Sequence, residues 1–142
     1  KASFADLTRR MKGKGQILLQ RQMPIEYELI VGMVHDEQFG PCVMFGLGGI
    51  FSELQKDVVF APAPLSTSTA KELIRRISGK KLLQGFRGRK PLDMKLMAEV
   101  LVNLGNLATA CLDIEQIDIN PLVIYQGKPI AVDATVIKKA VG

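Results

Sequence analysis

Four strands are predicted in the first half of the chain, from short apolar segments and from alternation of apolar and polar residues with a period of two. Residues 28–35 show it most clearly, because Leu29, Val31 and Met33 fall on one face. The other strands are predicted at 16–23, 41–47 and 58–60. We expect the segments 16–23, 28–35 and 41–47 to form an antiparallel meander, with a turn at 36–40.

Helical spacing of apolar residues predicts three helices. Phe4, Leu7 and Met11 indicate one near the start of the chain, followed by a basic, glycine-containing stretch. Ser66 is the expected N-cap of a second helix that runs to Ile77, with Gly79 as its stop signal. The longest helix is predicted from Pro91 or Asp93 to about Leu112, with an apolar stripe formed by Met97, Val100, Leu101, Leu104, Leu107, Ala108 and Cys111.

Residues 116–125 and 130–134 predict a hairpin joined by a tight turn that contains Gly127. Asp118 and Asn120 are two residues apart, so they share a face, and antiparallel pairing brings Asp133 near both. Two carboxylates and an amide oxygen are ligands of the kind that Mg²⁺ takes. Spacing alone favours a plainer interpretation, in which Asp118 and Asn120 cap strand ends and Pro121 ends a bulge.

Length and composition indicate one globular domain with strands at both ends and helices in the middle, which is an α+β fold. The net charge of +5 suits nucleotide, phosphate, CoA or nucleic acid as ligands, although a mildly basic surface explains it equally well. No apolar run reaches membrane-spanning length, and no signal peptide pattern is present. Cys42 and Cys111 suit buried thiols of the cytoplasm. We expect the one histidine, His35, to be a surface residue.

Four stretches resemble, in the same order, the ATP-grasp domain of NDP-forming acyl-CoA synthetases. They begin with Glu-Leu-Ile-Val-Gly at 28–32 and continue with 35–53, 85–93, and Asp-Ile-Asn-Pro-Leu-Val-Ile-Tyr at 118–125 followed by Val-Asp-Ala at 132–134. The chain is similar to the β subunits of ADP-forming acetate–CoA ligases and, more distantly, of succinyl-CoA synthetases. The resemblance implies that residues 1–142 are the C-terminal part of an ATP-grasp fold, an antiparallel sheet with packed helices. It also implies a longer protein, whose earlier half carries the adenine pocket.

The resemblance implies the nucleotide- and magnesium-binding part of an ADP-forming acid–CoA ligase. There a phosphoryl group moves between ADP or ATP and a phosphohistidine supplied by a CoA-binding domain or subunit of the same oligomeric enzyme. The fragment alone is expected to be inactive, with neither nucleic acid nor membrane as partner. The alternative is a ligand-sensing regulatory domain of a synthetase-like protein acetyltransferase.

The same resemblance implies roles for individual residues. Asn120 and Asp133 are the implied magnesium ligands, and Asp118 orients the reacting group or contacts the phosphohistidine. Glu53 and Arg87 are the other implied catalytic residues, and the nucleotide is assigned to Glu28, Gly46, Gly48 and Gly49. By pattern alone, the glycines fit a structural turn, the glutamates surface positions and the arginines a solvated loop.

Overall fold

Helices and strands are described for residues 2–12, 14–49, 57–85 and 88–139 of this computed structural model. The helices are α1 (Ala2–Arg10), α2 (Thr67–Arg76) and α3 (Met94–Ala110), with a 3-10 helix at Ser78–Gln84. The strands are β1 (Tyr27–Asp36), β2 (Gly40–Leu47), β3 (Val58–Pro62), β4 (Ile114–Tyr125), β5 (Lys128–Ala131) and β6 (Thr135–Lys138).

One antiparallel sheet organises these elements, in the order β3-β2-β1-β4-β5, with β6 also paired to β4. Helices α2 and α3 contact each other and pack on the sheet. The predicted α+β class, an antiparallel sheet with packed helices, is therefore confirmed.

The core lies between the two helices and one face of the sheet. As predicted, Leu29, Val31 and Met33 of β1 are at most 1% exposed, and the facing helices bury Leu73, Ile74, Met97, Leu101, Leu104 and Ala108. Leu107 was included in the predicted stripe, but it lies at the edge of the α3 contact and is 41% exposed. The stripe is therefore narrower than periodicity alone suggests.

Side-chain caps start both core helices where the sequence predicts them. Ser66 Oγ accepts from the Thr69 backbone N–H at 3.1 Å, and the Asp93 carboxylate accepts from the N–H groups of Lys95 and Leu96. These bonds satisfy amides that the first helical turn leaves without partners. Asp57 does the same for the 3-10 helix, because its two carboxylate oxygens each accept an N–H at 2.8 Å.

The strand predicted at 16–23 does not form. Residues 17–25 belong to no regular element, and Leu18 and Leu19 are 80% and 91% exposed. A strand needs a hydrogen-bonding neighbour, and β1, the next strand along the chain, already pairs on both sides, with β2 and β4. The observed meander is therefore β1-β2-β3.

Two leucines of α3 provide a matched test of this core. We expect Leu101→Ala to lower the free energy of unfolding by about 2–5 kcal/mol, since Leu101 is fully buried between α3 and the sheet. Leu107→Ala removes the same atoms from an exposed site and should cost less than about 1 kcal/mol. Urea unfolding of both variants measures the difference. An equal loss of unfolding free energy in the two variants would contradict the placement of α3.

Candidate functional site

Asp118, Asn120 and Asp133 meet where β4 passes the junction between β5 and β6. Strand β4 pairs with β5 from Tyr125 to Leu122, which lies opposite Ala131, and with β6 from Asp118, which lies opposite Thr135. Asp118 precedes Leu122 by four residues, and Thr135 follows Ala131 by four residues. Strands β5 and β6 therefore pair with β4 in the same register. Carried across residues 132–134, which belong to no strand, the same register would set Asn120 opposite Asp133.

A hydrogen bond confirms that the ladder continues through the junction. The Val132 backbone N–H donates to the Pro121 carbonyl at 3.2 Å, one residue away from the Asn120–Asp133 pair. The predicted hairpin is therefore present, although the second arm consists of two short strands. Its turn at Gln126 and Gly127 has φ of +52° and +79°, as a type I′ turn requires.

These polar residues occupy the sheet face that lies opposite the helices. Asp118 pairs with Gly32 of β1, whereas its neighbour Ile117 is buried in the core. Alternation from Asp118 puts Asn120 on the same face, just before the register of β4 on β1 shifts by one residue between Ile119 and Leu122. As the cross-strand neighbour of Asn120, Asp133 shares this face.

Gly32 allows Asp118 to lie close against β1. An ideal Cβ at Gly32 would lie 2.5 Å from the Ile117 carbonyl oxygen, which is too close for any side chain. Asp118 is half-buried, and its Oδ1 is buried without a hydrogen-bond partner among the described residues. An unpaired carboxylate oxygen at this depth favours an interaction with a ligand.

The donor set fits magnesium with few protein ligands. Asn120 and Asp133 are exposed and supply an amide and a carboxylate oxygen, while Asp118 adds a carboxylate beside them. Within the described ranges, no group of three His, Cys, Asp or Glu residues has the arrangement of a closed metal site. Magnesium usually keeps several waters and takes only one or two carboxylates plus substrate phosphates, so the sparse set is sufficient.

A second group of residues lines an open cleft of about 390 Å³ at the start of β1. Its walls include Glu28, Gly48 and Gly49, three of the residues that the resemblance assigns to the nucleotide, together with Ile25, Glu26, Tyr27 and Arg89. The Gly48 N–H donates to the Glu28 carbonyl at 2.9 Å, and a Cβ at Gly48 would lie 3.1 Å from that of Glu28. Glycine therefore lets this loop lie directly on β1. Glu28 alternates in phase with Gly32, so it shares the face of Asp118.

Gly46 does not line this cleft. It lies within β2, where a Cβ would meet the Asp57 carbonyl at 2.7 Å and a Val58 methyl group at 2.9 Å. Close packing of β2 on β3 accounts for this glycine, which is the structural interpretation that the pattern alone favours. Its assignment to the nucleotide is untested.

Arg89 is the cation that the structure places at the cleft, although the resemblance assigns the catalytic role to Arg87. Its guanidinium donates to the Glu26 carbonyl. Arg87 and Glu53 both lie outside the described residues, so their assignments stay predictions. Two arginines stand two positions apart in the 85–90 loop, and nothing in their pattern indicates that Arg89 borders the cleft.

Glu26 and Tyr27 contribute buried polar atoms beside Arg89. One carboxylate oxygen of Glu26 accepts from the Gln126 N–H at 3.1 Å, while Oε2 of Glu26 and the Tyr27 hydroxyl are buried without partners in the described part of the chain. Burial raises the pKa of Tyr27 to about 12, with a further increase from the Glu26 carboxylate and a decrease from Arg89.

The histidine and the cysteines lie away from both groups. His35 is the penultimate residue of β1 and lies opposite Pro41; it is half-buried rather than a surface residue as predicted, and its Nδ1 lacks a partner in the described ranges. Both cysteines are free, with Cys42 buried and Cys111 half-buried. Burial and the Asp36 carboxylate raise the pKa of the Cys42 thiol. None of the described helices is both long enough and apolar enough to span a bilayer.

Comparison with known families decides the identity of the domain. The model of the ATP-grasp domain matches residues 2–137. The chain belongs to the ATP-grasp family. This confirms the resemblance and the predicted type of fold.

Curated relatives of this ATP-grasp domain are acid–CoA ligases. It is 47% identical over 121 residues to the β subunit of ADP-forming acetate–CoA ligase I from Pyrococcus furiosus, covering 85% of this chain and 52% of the relative. It is 42% identical over 102 residues to an ADP-forming 4-hydroxybutyrate–CoA ligase from Nitrosopumilus maritimus, covering 71% of this chain and 15% of that enzyme. The chain thus spans about half the length of the first relative and much less of the second.

Solved structures agree with this assignment. ACD1 of Ca. Korarchaeum cryptofilum in complex with coenzyme A superimposes with a TM-score of 0.85 at 37% identity, covering 97% of this chain and 62% of that one. The dinucleotide-forming acetyl-coenzyme A synthetase 1 of that organism, with coenzyme A and Mg-AMPPCP, gives 0.78 at 42% identity, covering 82% and 55%. In that second structure, a phosphohistidine segment points towards the nucleotide-binding site.

The buried phenol of Tyr27 predicts a pH dependence of stability. Its pKa of about 12 exceeds the ordinary value of 10.0, so the folded state holds the proton more tightly than the unfolded state. The stabilisation is complete well below pH 10 and is lost as pH rises towards 12, by about 3 kcal/mol at most. Tyr27→Phe should remove this loss and keep or raise stability at neutral pH, because the hydroxyl has no partner among the described residues.

Urea unfolding between pH 8 and pH 11.5 measures this effect. Tyr125→Phe serves as the control, since it removes the other of the two tyrosines in the chain. If the free energy of unfolding falls equally with rising pH in the wild type and in Tyr27→Phe, the prediction is contradicted.

Proposed function

We propose that this domain forms the magnesium and nucleotide-phosphate end of an ADP-forming acyl-CoA synthetase, which is an acid–CoA ligase. The whole enzyme interconverts acyl-CoA, ADP and phosphate with the free acid, CoA and ATP. The observation that carries the proposal is the register that sets Asn120 opposite Asp133, beside Asp118 and on the same sheet face as Glu28.

Asn120 and Asp133 hold the magnesium ion in this proposal. When bound, the ion neutralises negative charge on the nucleotide phosphates, which is the main demand of phosphoryl transfer. Asn120 lies within β4, Asp133 lies in the three-residue connection between β5 and β6, and both residues are exposed. Precise positioning of few groups is what this chemistry needs.

Asp118 faces the reacting phosphoryl group or the phosphohistidine. Its unpaired, buried carboxylate oxygen is suited to accept a proton from, or orient, an imidazole that approaches the sheet face. The relative whose phosphohistidine segment points towards the nucleotide-binding site supports this role.

The cleft formed by Glu28, Gly48 and Gly49 takes the nucleotide. The close approach of the glycine loop to β1 brings backbone groups to the cleft without an intervening side chain. Arg89 adds a cation at its rim, and Glu53 and Arg87 remain proposed members of the catalytic set. The histidine, the CoA site and the adenine pocket belong to other domains or subunits of a cytoplasmic, oligomeric enzyme, so this fragment alone is inactive.

Asp133→Asn in the full-length protein tests the metal assignment. We expect the magnesium concentration for half-maximal activity to rise by about tenfold or more, since loss of the ligand charge removes at least ~1.4 kcal/mol of binding. Calorimetric titration with Mg-AMPPCP should show the same loss of affinity. The chemically matched control is Asp113→Asn, which removes an exposed carboxylate paired with Lys138 on the same sheet and should leave both values unchanged. A normal magnesium requirement in a folded Asp133→Asn variant would refute the assignment.

A further inference from the structure

The positive charge of the chain is concentrated in residues 71–95. This segment contains nine Lys and Arg residues and two acidic residues, an excess of seven, whereas the whole chain has a net charge of +5. One of the two acids, Asp93, is occupied in capping α3. The ion pairs among the described residues use Asp6 and Asp113, so no cation of this segment has a carboxylate partner there.

Two of these cations, Arg75 and Lys80, border a cleft of about 370 Å³. The cleft lies between the end of α2, the 3-10 helix and residues 91–94. Ile74, Leu83 and Leu92 form a buried apolar floor, and the lining also includes Gln84, Pro91 and Met94. An amphipathic anion requires such surroundings, with cations at the rim and apolar side chains at the floor.

Fixed backbone contacts shape this cleft. The Leu92 N–H donates to the Leu83 carbonyl at 2.8 Å, which joins its two sides. Asp57 anchors the start of the 3-10 helix through two bonds of 2.8 Å. The walls are therefore held by the fold without a ligand, so binding requires little ordering of the backbone.

The cleft is separate from the nucleotide end. Its elements pack on the helix-covered face of the sheet, whereas Asp118, Asn120 and Asp133 stand on the opposite face. The volume lies within the range of small-molecule sites, about 300–1,000 Å³.

We propose that this cleft binds a small organic anion, a phosphate or carboxylate carried on an apolar body the size of an aromatic ring. The Arg75 guanidinium offers paired donors that match two anion oxygens, and Lys80 adds a point charge at the same cleft. The ring rests on Leu83 and Leu92, and the Gln84 amide is the neutral polar group at the site.

Residues 88–94 link this cleft to the nucleotide cleft. Arg89 lines the nucleotide cleft, while Pro91, Leu92 and Met94 line the anion cleft. The Asp93 N–H also donates to the Gly127 carbonyl at 2.8 Å, which ties the segment to the β4–β5 turn. We expect an occupant of one cleft to change the affinity of the other through this shared segment, a consequence that rests on the proposed function.

Calorimetry on the full-length protein tests the anion site, with phenyl phosphate and phenylacetate as probes. Inorganic phosphate lacks the ring and benzyl alcohol lacks the charge, so each should bind at least about tenfold more weakly than phenyl phosphate. Arg75→Gln/Lys80→Gln should weaken phenyl phosphate binding by about tenfold. The control Arg76→Gln/Lys81→Gln makes the same charge change on the same two helices, outside the cleft lining, and should cost less than about twofold.

Three results would overturn the site. They are binding of neither aromatic probe, equal affinity for inorganic phosphate and phenyl phosphate, or an equal loss of phenyl phosphate affinity in the two double variants. The last would indicate diffuse attraction by surface charge. Titration of Mg-AMPPCP with and without saturating phenyl phosphate then tests the link. An unchanged affinity would overturn the coupling, whereas absence of Mg-AMPPCP binding would overturn the proposed nucleotide site; the probe titrations without nucleotide test the anion cleft separately from both.

Discussion

The pairing of β1 with β4 is the contact on which both the core and the candidate site depend. Gly32 has no side chain, so β4 lies against β1 with Ile117 directed to the helices and Asp118 directed to the open face. A slip of one residue would exchange these faces, placing the carboxylate in the core and the isoleucine in solvent. Burial of Ile117 and of Met33 opposite it therefore holds Asp118 in its place.

The two faces of the sheet divide stability from chemistry. Helices α2 and α3 cover one face and supply most of the apolar burial, while the polar side chains stand on the other face. The metal pair comes from β4 and the β5–β6 junction, and the glycine loop follows β2. All of these elements are neighbours in one sheet, so backbone hydrogen bonding limits their relative movement. A site for phosphoryl transfer benefits from this rigidity, because its catalysis depends mainly on positioning.

Residues 88–94 contact several parts of this arrangement at once. Arg89 reaches the start of β1, the Leu92 N–H bonds the 3-10 helix, and the Asp93 N–H bonds the β4–β5 turn. Gly127 makes the last contact possible, since it combines a φ of +79° with a close approach to the Pro91 carbonyl. The segment thus joins the helix-covered side of the domain to the nucleotide side, and it carries two of the nine basic residues of segment 71–95.

The sequence by itself determined the features that local chemistry controls. Alternation in β1 identified the buried face, Ser66 and Asp93 marked the starts of α2 and α3, and Gly127 marked the hairpin turn. The family followed from four motifs in order. Only the tertiary structure decided which segments find partners: residues 16–23 have a strand pattern, but the next strand, β1, is paired on both sides, and β5 and β6 share one register on β4. It also decided that Arg89 reaches the cleft and that Gly46 packs on β3. Periodicity specifies a face, whereas pairing and loop contacts depend on residues far apart in the chain.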